Sequence, residues 1–350
     1  MGKSVRWRTA MTEALYGDKG FYVRDVGSGR SPTTEHFRTS AHASPLFATA
    51  MLRLIATVDE ALDRPHPLDV VDVGAGAGDL LRRIAVLAPA YLRQRLHLRA
   101  VELAPPPVDL PDYIDWGPSL PEPGELTGVL LATEWLDNIP LDIAETDDAG
   151  RLRYVLVDPE TGNESLGPEV DEPDAEWVAE WWPADEAGEA TGEHLRVEIG
   201  RTRDVAWANA VACLARGLAL AVDYGHTRED RPLAGTLTGF RAGREVPAVP
   251  DGSRDITAHV AFDSIGLAGE RAAGRPALLA TQREALDALG VDAKRPPLTL
   301  ASEDPAAYVR SLAAASQAAE LVDPGGLGAH LWLLQPVRLR ASALPTGLRP

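Results

Sequence analysis

A glycine-rich turn between a buried strand and a helix is the feature that most constrains the fold. Residues 70–81 read Val-Val-Asp-Val-Gly-Ala-Gly-Ala-Gly-Asp-Leu-Leu. A short β-branched run is typical of a strand buried in a parallel sheet, and glycine is needed where the backbone takes a positive φ or approaches a ligand closely. This order of strand, turn and helix predicts a ligand-binding turn at the edge of a parallel sheet.

Predicted strands and helices alternate around this turn. The strands are expected at 69–73, 97–103, 113–116, 128–133 and 218–223, and the helices at 7–16, 45–62, 80–88, 204–216 and about 304–320. An apolar run at 331–334 is expected to complete the sheet. The alternation predicts an α/β fold with a doubly wound, mostly parallel sheet.

Two insertions interrupt this pattern, at about 141–200 and 226–275. The first contains a predicted hairpin, 143–146 and 152–157, followed by an acidic segment at 158–193. The second is rich in glycine, proline and arginine, and is expected to be loop-like apart from a strand at 255–262. We expect an N-terminal helical segment, 1–64, that covers the ligand site, and a main domain, 65–350, that carries both insertions.

The residues of the glycine turn discriminate between two kinds of ligand. In the spacing Gly74-x-Gly76-x-Gly78, Asp79 stands where a dinucleotide-binding turn has its third glycine or alanine. A pyrophosphate favours a helix N-terminus without an adjacent acid, whereas Asp79 and Asp72 suit a cofactor with a cationic centre. S-adenosylmethionine has a sulfonium and an α-ammonium, so the three glycines and Asp72 are predicted to bind it. A nucleotide site and a plain tight turn are the alternatives.

Glu102 ends the next predicted strand, 24 residues after Gly78. An acid at that place can accept hydrogen bonds from both ribose hydroxyls of an adenosine-type cofactor. The alternative is a solvent-exposed glutamate at a strand end.

Polar residues follow the fourth and fifth predicted strands. Glu134 and Asp137 come after one, and Asp223 and His226 after the other. The carboxyl ends of parallel strands meet at one edge of a sheet, so these side chains are expected to converge beside the donor methyl. Carboxylates would attract a cationic acceptor, and His226 could accept a proton near neutral pH. The alternative for each residue is a helix cap or a salt bridge.

Charge and cysteine content exclude several functions. The chain has 34 Lys+Arg against 52 Asp+Glu, a net charge of −18, which argues against a nucleic-acid partner. Between Asp158 and Glu193 there are thirteen acidic and no basic residues, which is typical of a solvated insertion, with docking of a basic partner as the alternative. Cys213 is the one cysteine, so no cysteine-cluster metal site is expected. No signal peptide or membrane span is expected, which predicts a cytoplasmic protein.

Several stretches in the same order resemble the MidA-like family of S-adenosylmethionine-dependent methyltransferases. These are the bacterial relatives of the mitochondrial complex I assembly methyltransferase that modifies an arginine. The stretches are Glu13-Ala14-Leu15-Tyr16, Gly20-Phe21-Tyr22, His36-Phe37-Arg38-Thr39-Ser40, Ser44-Pro45-Leu46-Phe47, the glycine turn, Glu134-Trp135-Leu136-Asp137-Asn138-Ile139-Pro140, Asp223-Tyr224-Gly225-His226, Thr236-Leu237, Asp255-Ile256-Thr257-Ala258-His259-Val260 and Thr281-Gln282.

The resemblance implies a class I methyltransferase (Rossmann-like) fold, with the N-terminal segment over the cofactor. It implies that Phe37, Thr39 and Ser40 line the cofactor or acceptor pocket and that Glu134 lies on the methionine side of S-adenosylmethionine. The family usually has asparagine where Thr133 stands, which puts the acceptor chemistry in question.

The sequence leaves three functions open. The first is a methyltransferase that acts on a protein arginine, as the resemblance implies, or on a small molecule. Methyl transfer needs alignment and no metal, and Glu134 with Asp137 or His226 could orient a guanidinium and take its proton. The second is a non-catalytic, S-adenosylmethionine-binding assembly or interaction protein. The third, an NAD-dependent oxidoreductase, is disfavoured by Asp79. The sequence is silent on the oligomeric state.

Overall fold

A seven-stranded sheet forms the centre of the structure, a computed structural model that describes residues 4–23, 44–182 and 195–348. In spatial order its strands are β16 (Leu278–Thr281), β17 (Leu331–Val337), β10 (Leu214–Asp223), β5 (Leu126–Thr133), β2 (Leu68–Val73), β3 (Leu96–Val101) and β4 (Ile114–Gly117). The five strands from β10 to β4 are parallel, and β16 and β17 are antiparallel to their neighbours. The prediction of a mostly parallel sheet completed by the 331–334 run is confirmed.

The described ranges contain ten α-helices, several of which pack against this sheet in two core clusters. They are α1 (Trp7–Tyr16), α2 (Pro45–Ala61), α3 (Asp79–Leu87), α4 (Ala90–Arg93), α5 (Glu172–Trp181), α6 (Arg201–Ala212), α7 (Phe262–Ala273), α8 (Gln282–Ala288), α9 (Leu298–Glu303) and α10 (Pro305–Leu321). Val70 of β2 belongs to a core cluster with residues of α2, α3 and α10, whereas Val71 belongs to a second cluster with residues of α6 and α7. Alternate residues of a strand point to opposite faces, so both faces of the central strand are buried under helices. The fold is therefore mixed α/β.

The first insertion builds a second, antiparallel sheet. It consists of β1 (Val5–Arg6), β6 (Asp142–Thr146), β7 (Leu152–Val157), β8 (Glu164–Glu169) and β9 (Arg196–Ile199). The pairing of β6 with β7 confirms the predicted hairpin. The acidic segment forms β8 and α5 as far as residue 182, and its remainder lies outside the described residues. The acidic segment is thus folded onto the insertion over its described part.

Helix α1 packs on the second sheet, whereas α2 packs on the central one. The two helices therefore belong to different hydrophobic cores. The predicted boundary between an N-terminal segment, 1–64, and a main domain, 65–350, stays a prediction. No helix of the described ranges combines the length and the apolar character needed to cross a bilayer.

The second insertion corrects the loop-like prediction for 226–275. It contains β11 (Gly225–His226), β12 (Thr238–Arg241), β13 (Arg244–Val246), β14 (Asp255–Thr257), β15 (Val260–Ala261) and helix α7. The predicted strand 255–262 is therefore two short strands followed by the start of a helix. The glycines of α7 suggested a loop, but a Cβ at Gly269 would lie 2.6 Å from Nε1 of Trp207 in α6. Glycine here allows two helices to pack closely.

Helix α6 also ends earlier than expected, at Ala212, because residues from Leu214 onward already pair with β5. Cys213 lies at this junction and is buried, and burial raises the pKa of its thiol to about 11.

His97 joins three neighbouring strands at the opposite end of the sheet from the glycine turn. Its Nδ1 lies 2.9 Å from Asp69 Oδ1 on β2, and its Nε2 lies 2.8 Å from Asp115 Oδ2 on β4. Burial alone would lower the pKa of His97, but the hydrogen bonds with Asp69 and Asp115 outweigh it and the pKa is raised. The imidazole therefore bridges two carboxylates across the sheet.

Candidate functional site

The glycine turn runs from the end of β2 to the start of α3 with three left-handed residues. Gly74, Gly76 and Gly78 have φ values of 73°, 58° and 76°. A Cβ at Gly74 would lie 2.9 Å from Cδ1 of Trp135, so this position combines a positive φ with a close approach. The turn therefore brings backbone, rather than side chains, to the carboxyl edge of the central strand.

Glu102 lies directly after β3 and folds back against this turn. Its Oε2 accepts a hydrogen bond from the Gly76 N–H at 2.9 Å, and its Oε1 accepts one from the Ala104 N–H at 3.1 Å. Burial raises the pKa of Glu102, and these backbone donors act in the opposite direction. An ionised carboxylate has about four lone-pair sites, so each oxygen retains acceptor capacity after these bonds.

A cavity of about 300 Å³ opens beside Glu102, among the loops that follow β2, β3 and β5 and two tyrosines of the N-terminal region. Residues that line it include Gly74, Gly76, Glu102, Leu103, Pro105, Val108, Leu120, Glu134, Trp135, Asn138, Tyr16 and Tyr22. Its volume lies at the lower end of the range for small-molecule sites, roughly 300–1,000 Å³. Apolar side chains and prolines dominate the wall next to Glu102.

The two tyrosines form a stacked pair, which sequence reasoning did not identify as part of a site. The rings of Tyr16 and Tyr22 lie 5.7 Å apart at 18°. The Tyr16 hydroxyl donates to the Asn138 carbonyl at 3.1 Å, and the Tyr22 hydroxyl donates to Asn138 Oδ1 at 2.9 Å. The amide of Asn138 donates in turn to Asp255 at 2.9 Å. Both tyrosines occur in stretches that carry the family resemblance, which was the one signal available for them.

Glu134 follows β5 and reaches the same cavity. Its φ is 51°, an uncommon value for a residue with a side chain, and its N–H donates to the Val222 carbonyl at 2.7 Å. Asp223 Oδ2 accepts the N–H groups of Leu136 and Asp137 at 3.0 and 3.2 Å. The carboxylate of Asp223 therefore fixes the loop after Glu134 and is itself buried.

Asp137 and His226 are not brought to the cavity. Asp137 is buried, its Oδ2 accepts from the Thr257 hydroxyl at 2.6 Å, and burial raises its pKa. His226 is buried in β11, and Arg231 Nη1 lies 2.7 Å from its Nδ1. Burial, then Arg231 and His259, lower the pKa of His226 to about 3. The loss of water and the nearby Arg231 cation both oppose the charged form of His226, whereas the sequence led us to expect a proton acceptor near neutral pH.

Arg203 of α6 organises the same buried region. It is 1% exposed, and its guanidinium donates to the carbonyl groups of Asp137, Ala258 and His259. This arginine joins the loop after β5 to the segment between β14 and β15.

Asp72 and Gly78, which were predicted to bind the cofactor, are not among the residues that line the cavity. Asp72 is 2% exposed, and its Oδ1 has no hydrogen-bond partner in the described ranges. Burial, then the charge of Glu102, raise its pKa to about 7. Gly78 is the residue before α3. The predicted positions Phe37, Thr39 and Ser40 lie outside the described residues.

The arrangement fits an adenosine-type cofactor. Glu102 supplies acceptor sites of the kind that a ribose diol requires, beside an apolar wall suited to a purine base. The carboxylate of Glu134 provides negative charge in the same cavity, suited to a cationic centre. The fold and site thus define an α/β protein with a nucleoside-cofactor site at the carboxyl edge of its parallel strands.

Comparison with known proteins agrees with this class. The sequence model of one family matches residues 51–281, and that family is described as "Putative S-adenosyl-L-methionine-dependent methyltransferase". The chain belongs to this family, which confirms the predicted cofactor, S-adenosylmethionine. No curated protein matches the chain.

Two solved structures from Burkholderia thailandensis share the fold. One, described as a "likely methyl transferase" and bound to S-adenosyl-homocysteine, is 24% identical with a TM-score of 0.74 and covers 100% of this chain and 89% of its own. The other, described as uncharacterized, is 24% identical with a TM-score of 0.73 and covers 99% of this chain and 91% of its own. At this identity the likeness shows a common mixed α/β, methyltransferase-like fold.

Proposed function

We propose that the chain is an active methyltransferase that binds S-adenosylmethionine in the cavity between the glycine turn and Glu134. The observation that carries the proposal is Glu102, whose two oxygens are oriented by the N–H groups of Gly76 and Ala104 and keep free acceptor sites beside the cavity. A surface glutamate that merely ends a strand needs no such backbone support.

The residues of the chain hold, orient and shield the reacting groups. Glu102 would accept the ribose hydroxyls, and the walls formed by Leu103 and Pro105 would exclude water from the base. When bound, the cofactor supplies an electrophilic methyl group on its sulfonium. Glu134 would hold the methyl acceptor beside that group and neutralise its positive charge, so that alignment and electrostatics supply the rate enhancement.

We further propose that the methyl acceptor is a protein arginine and that the chain is MidA-like, as the sequence resemblance implies. With this go the class I methyltransferase fold and an N-terminal segment, residues 1–64, that covers the cofactor. We also propose a cytoplasmic location, as the sequence implies. A carboxylate at Glu134 supports a cationic acceptor such as a guanidinium. We leave Asp137 and His226 out of the catalytic set, because both are buried away from the cavity and engaged with Thr257 and Arg231.

Calorimetric titration tests the cofactor site. S-adenosylmethionine and S-adenosylhomocysteine are titrated into the wild type, Glu102→Ala and Glu122→Ala, with NADH as the negative control. Glu122 is an exposed glutamate outside the cavity. Loss of charge-assisted hydrogen bonds costs about 1.5–3 kcal/mol, roughly ten- to a hundredfold in affinity, so Glu102→Ala should bind more weakly while Glu122→Ala binds as the wild type does. Equal affinities in all three proteins, or no binding, would refute the site.

Transfer of a tritiated methyl group to arginine-containing peptides tests the reaction. Lysine-containing peptides of the same length serve as the comparison. Glu134→Gln should retain S-adenosylhomocysteine binding and lose transfer. Tight cofactor binding without transfer to any peptide or lysate acceptor would instead favour a non-catalytic assembly protein.

A further inference from the structure

His330 is a buried histidine that lies in the turn before β17, outside the residues that the family model matches. It is 5% exposed. Its Nδ1 lies 2.9 Å from the Leu327 carbonyl oxygen. A carbonyl only accepts hydrogen bonds, so Nδ1 carries the proton and Nε2 of the neutral ring presents its lone pair. Nε2 is buried and has no hydrogen-bond partner within the described ranges.

This unpartnered nitrogen faces the carboxylate that reaches the cavity. Nε2 of His330 lies 3.9 Å from Oε1 of Glu134, whose side chain is 11% exposed. A distance of 3.9 Å is too long for a hydrogen bond. Two acceptors therefore face each other, and a closer approach by about 1 Å would let a proton bridge them in a hydrogen bond.

The surroundings keep His330 neutral. Burial, opposed by the hydrogen bond to Leu327 and aided by the nearby His259, lowers the pKa of His330 to about 4. The ring of Tyr224 packs edge-on against His330 at 5.0 Å. Glu134 Oε1 faces Nε2 of this neutral ring at 3.9 Å. A bridging proton would thus convert an unfavourable contact between two acceptors into a hydrogen bond within a site of low polarity.

We propose that His330 is a positioning residue that acts through Glu134 to hold the proton released by the methyl acceptor; the inference rests on the proposed methyltransferase function. In the step, the acceptor nitrogen forms its bond to the methyl carbon as the bond from that carbon to the sulfonium sulfur breaks, with the electron pair going to sulfur. The proton leaves the acceptor nitrogen for Glu134 Oε1, where it donates a hydrogen bond to His330 Nε2. No further reactant is needed.

Nitrogen-15 NMR of the histidine side chains tests the pair without any acceptor. Spectra of the wild type, His330→Gln and Glu134→Gln are compared at neutral pH, and His330→Gln assigns the signal. We expect His330 as the Nδ1–H tautomer. In Glu134→Gln the amide can donate to Nε2, so the Nε2 resonance of His330 should shift more than that of any other histidine, while that of the remote His97 stays unchanged. An Nε2–H tautomer, or an Nε2 signal unaffected by Glu134→Gln, overturns the proposal.

The pH profile of methyl transfer to the arginine peptides gives the second readout. In His330→Gln the glutamine amide donates to Glu134 and favours its ionised form, so the acidic limb of the kcat profile should move to lower pH by about one unit, with an unchanged KM for S-adenosylmethionine. His97→Gln should leave the limb in place. A lower rate with an unmoved limb would indicate a structural role only and overturn the inference. If S-adenosylmethionine does not bind, the proposed function fails first, whereas binding with no His330–Glu134 coupling removes this inference alone.

Discussion

The stability cost of packing against Trp135 at the glycine turn can be measured by comparing two glycines that have the same backbone conformation. Gly74 has φ 73° and Gly124 has φ 74°. A Cβ at Gly124 would meet no atom within 4 Å, whereas a Cβ at Gly74 would lie 2.9 Å from Cδ1 and 3.2 Å from Cβ of Trp135. Gly124→Ala therefore carries only the cost of a left-handed alanine, about 1–2 kcal/mol.

Gly74→Ala carries the same backbone cost and must also displace Trp135. Overpacking of this kind costs about 1–3 kcal/mol, so the free energy of unfolding should fall by about 2–5 kcal/mol in total. The effect of alanine on the unfolded chain is common to both variants and cancels in the comparison. Because Trp135 lines the cavity, its displacement should also weaken S-adenosylhomocysteine binding by about tenfold or more, which is about 1.4 kcal/mol.

Urea unfolding followed by circular dichroism measures the first effect, and calorimetric titration with S-adenosylhomocysteine measures the second. Gly124→Ala should bind as the wild type does. If Gly74→Ala matches Gly124→Ala in both stability and affinity, Trp135 does not constrain the turn and the reasoning is wrong.

Three further predictions concern groups away from the cavity wall. The pKa of His97 in the folded protein is raised above the unfolded value of about 6.5, so its contribution to stability is complete below that pH and is lost as the pH rises through the folded pKa. The difference in urea stability between the wild type and His97→Gln should therefore shrink at alkaline pH. A difference that stays constant with pH would contradict this. Arg203→Met should cost about 3–5 kcal/mol in urea unfolding because it leaves buried carbonyl groups and Asp137 without their cation, whereas the exposed Arg241→Met should change stability by no more than about 0.5 kcal/mol. The Cys213 thiol, with its pKa raised to about 11, should react with iodoacetamide far more slowly in the folded than in the urea-unfolded protein, as followed by mass spectrometry, and equal rates would contradict its burial.

Local patterns were sufficient to predict six of the seven strands of the central sheet, all except β16. The glycine turn after β2 and the acid after β3 both follow from short stretches of chain, and Glu102 contacts the turn as the topology of parallel strands requires. The helix at 262–273 could not be predicted in the same way, because its Gly269 serves a close contact with Trp207, which lies far away in sequence.

A cavity residue could be predicted from the sequence only where it directly follows a strand of the central sheet that ends at the cavity. Glu134 reaches the cavity, but the chain turns away after Asp223, because Gly225 and His226 pair with Val260 and Ala261 in β11 and β15. That pairing carries His226 into a buried contact with Arg231. Tyr16, Tyr22 and His330 come from distant segments, so no spacing in the sequence brings them to the loops after β5.

The position of β17 has a consequence for how the protein folds as it is synthesised. Asp223 at the end of β10 pairs with Leu331, so the flank of β10 stays without its partner until the intervening residues 224–330 have been synthesised. Closing such a long loop is entropically slow, and an apolar strand with an open edge can pair with a second nascent chain in the meantime. The same delay applies to His330, which reaches Glu134 only when β17 docks. The contact between His330 and Glu134 and the protection of the sheet from aggregation are therefore completed in the same folding step, the docking of β17.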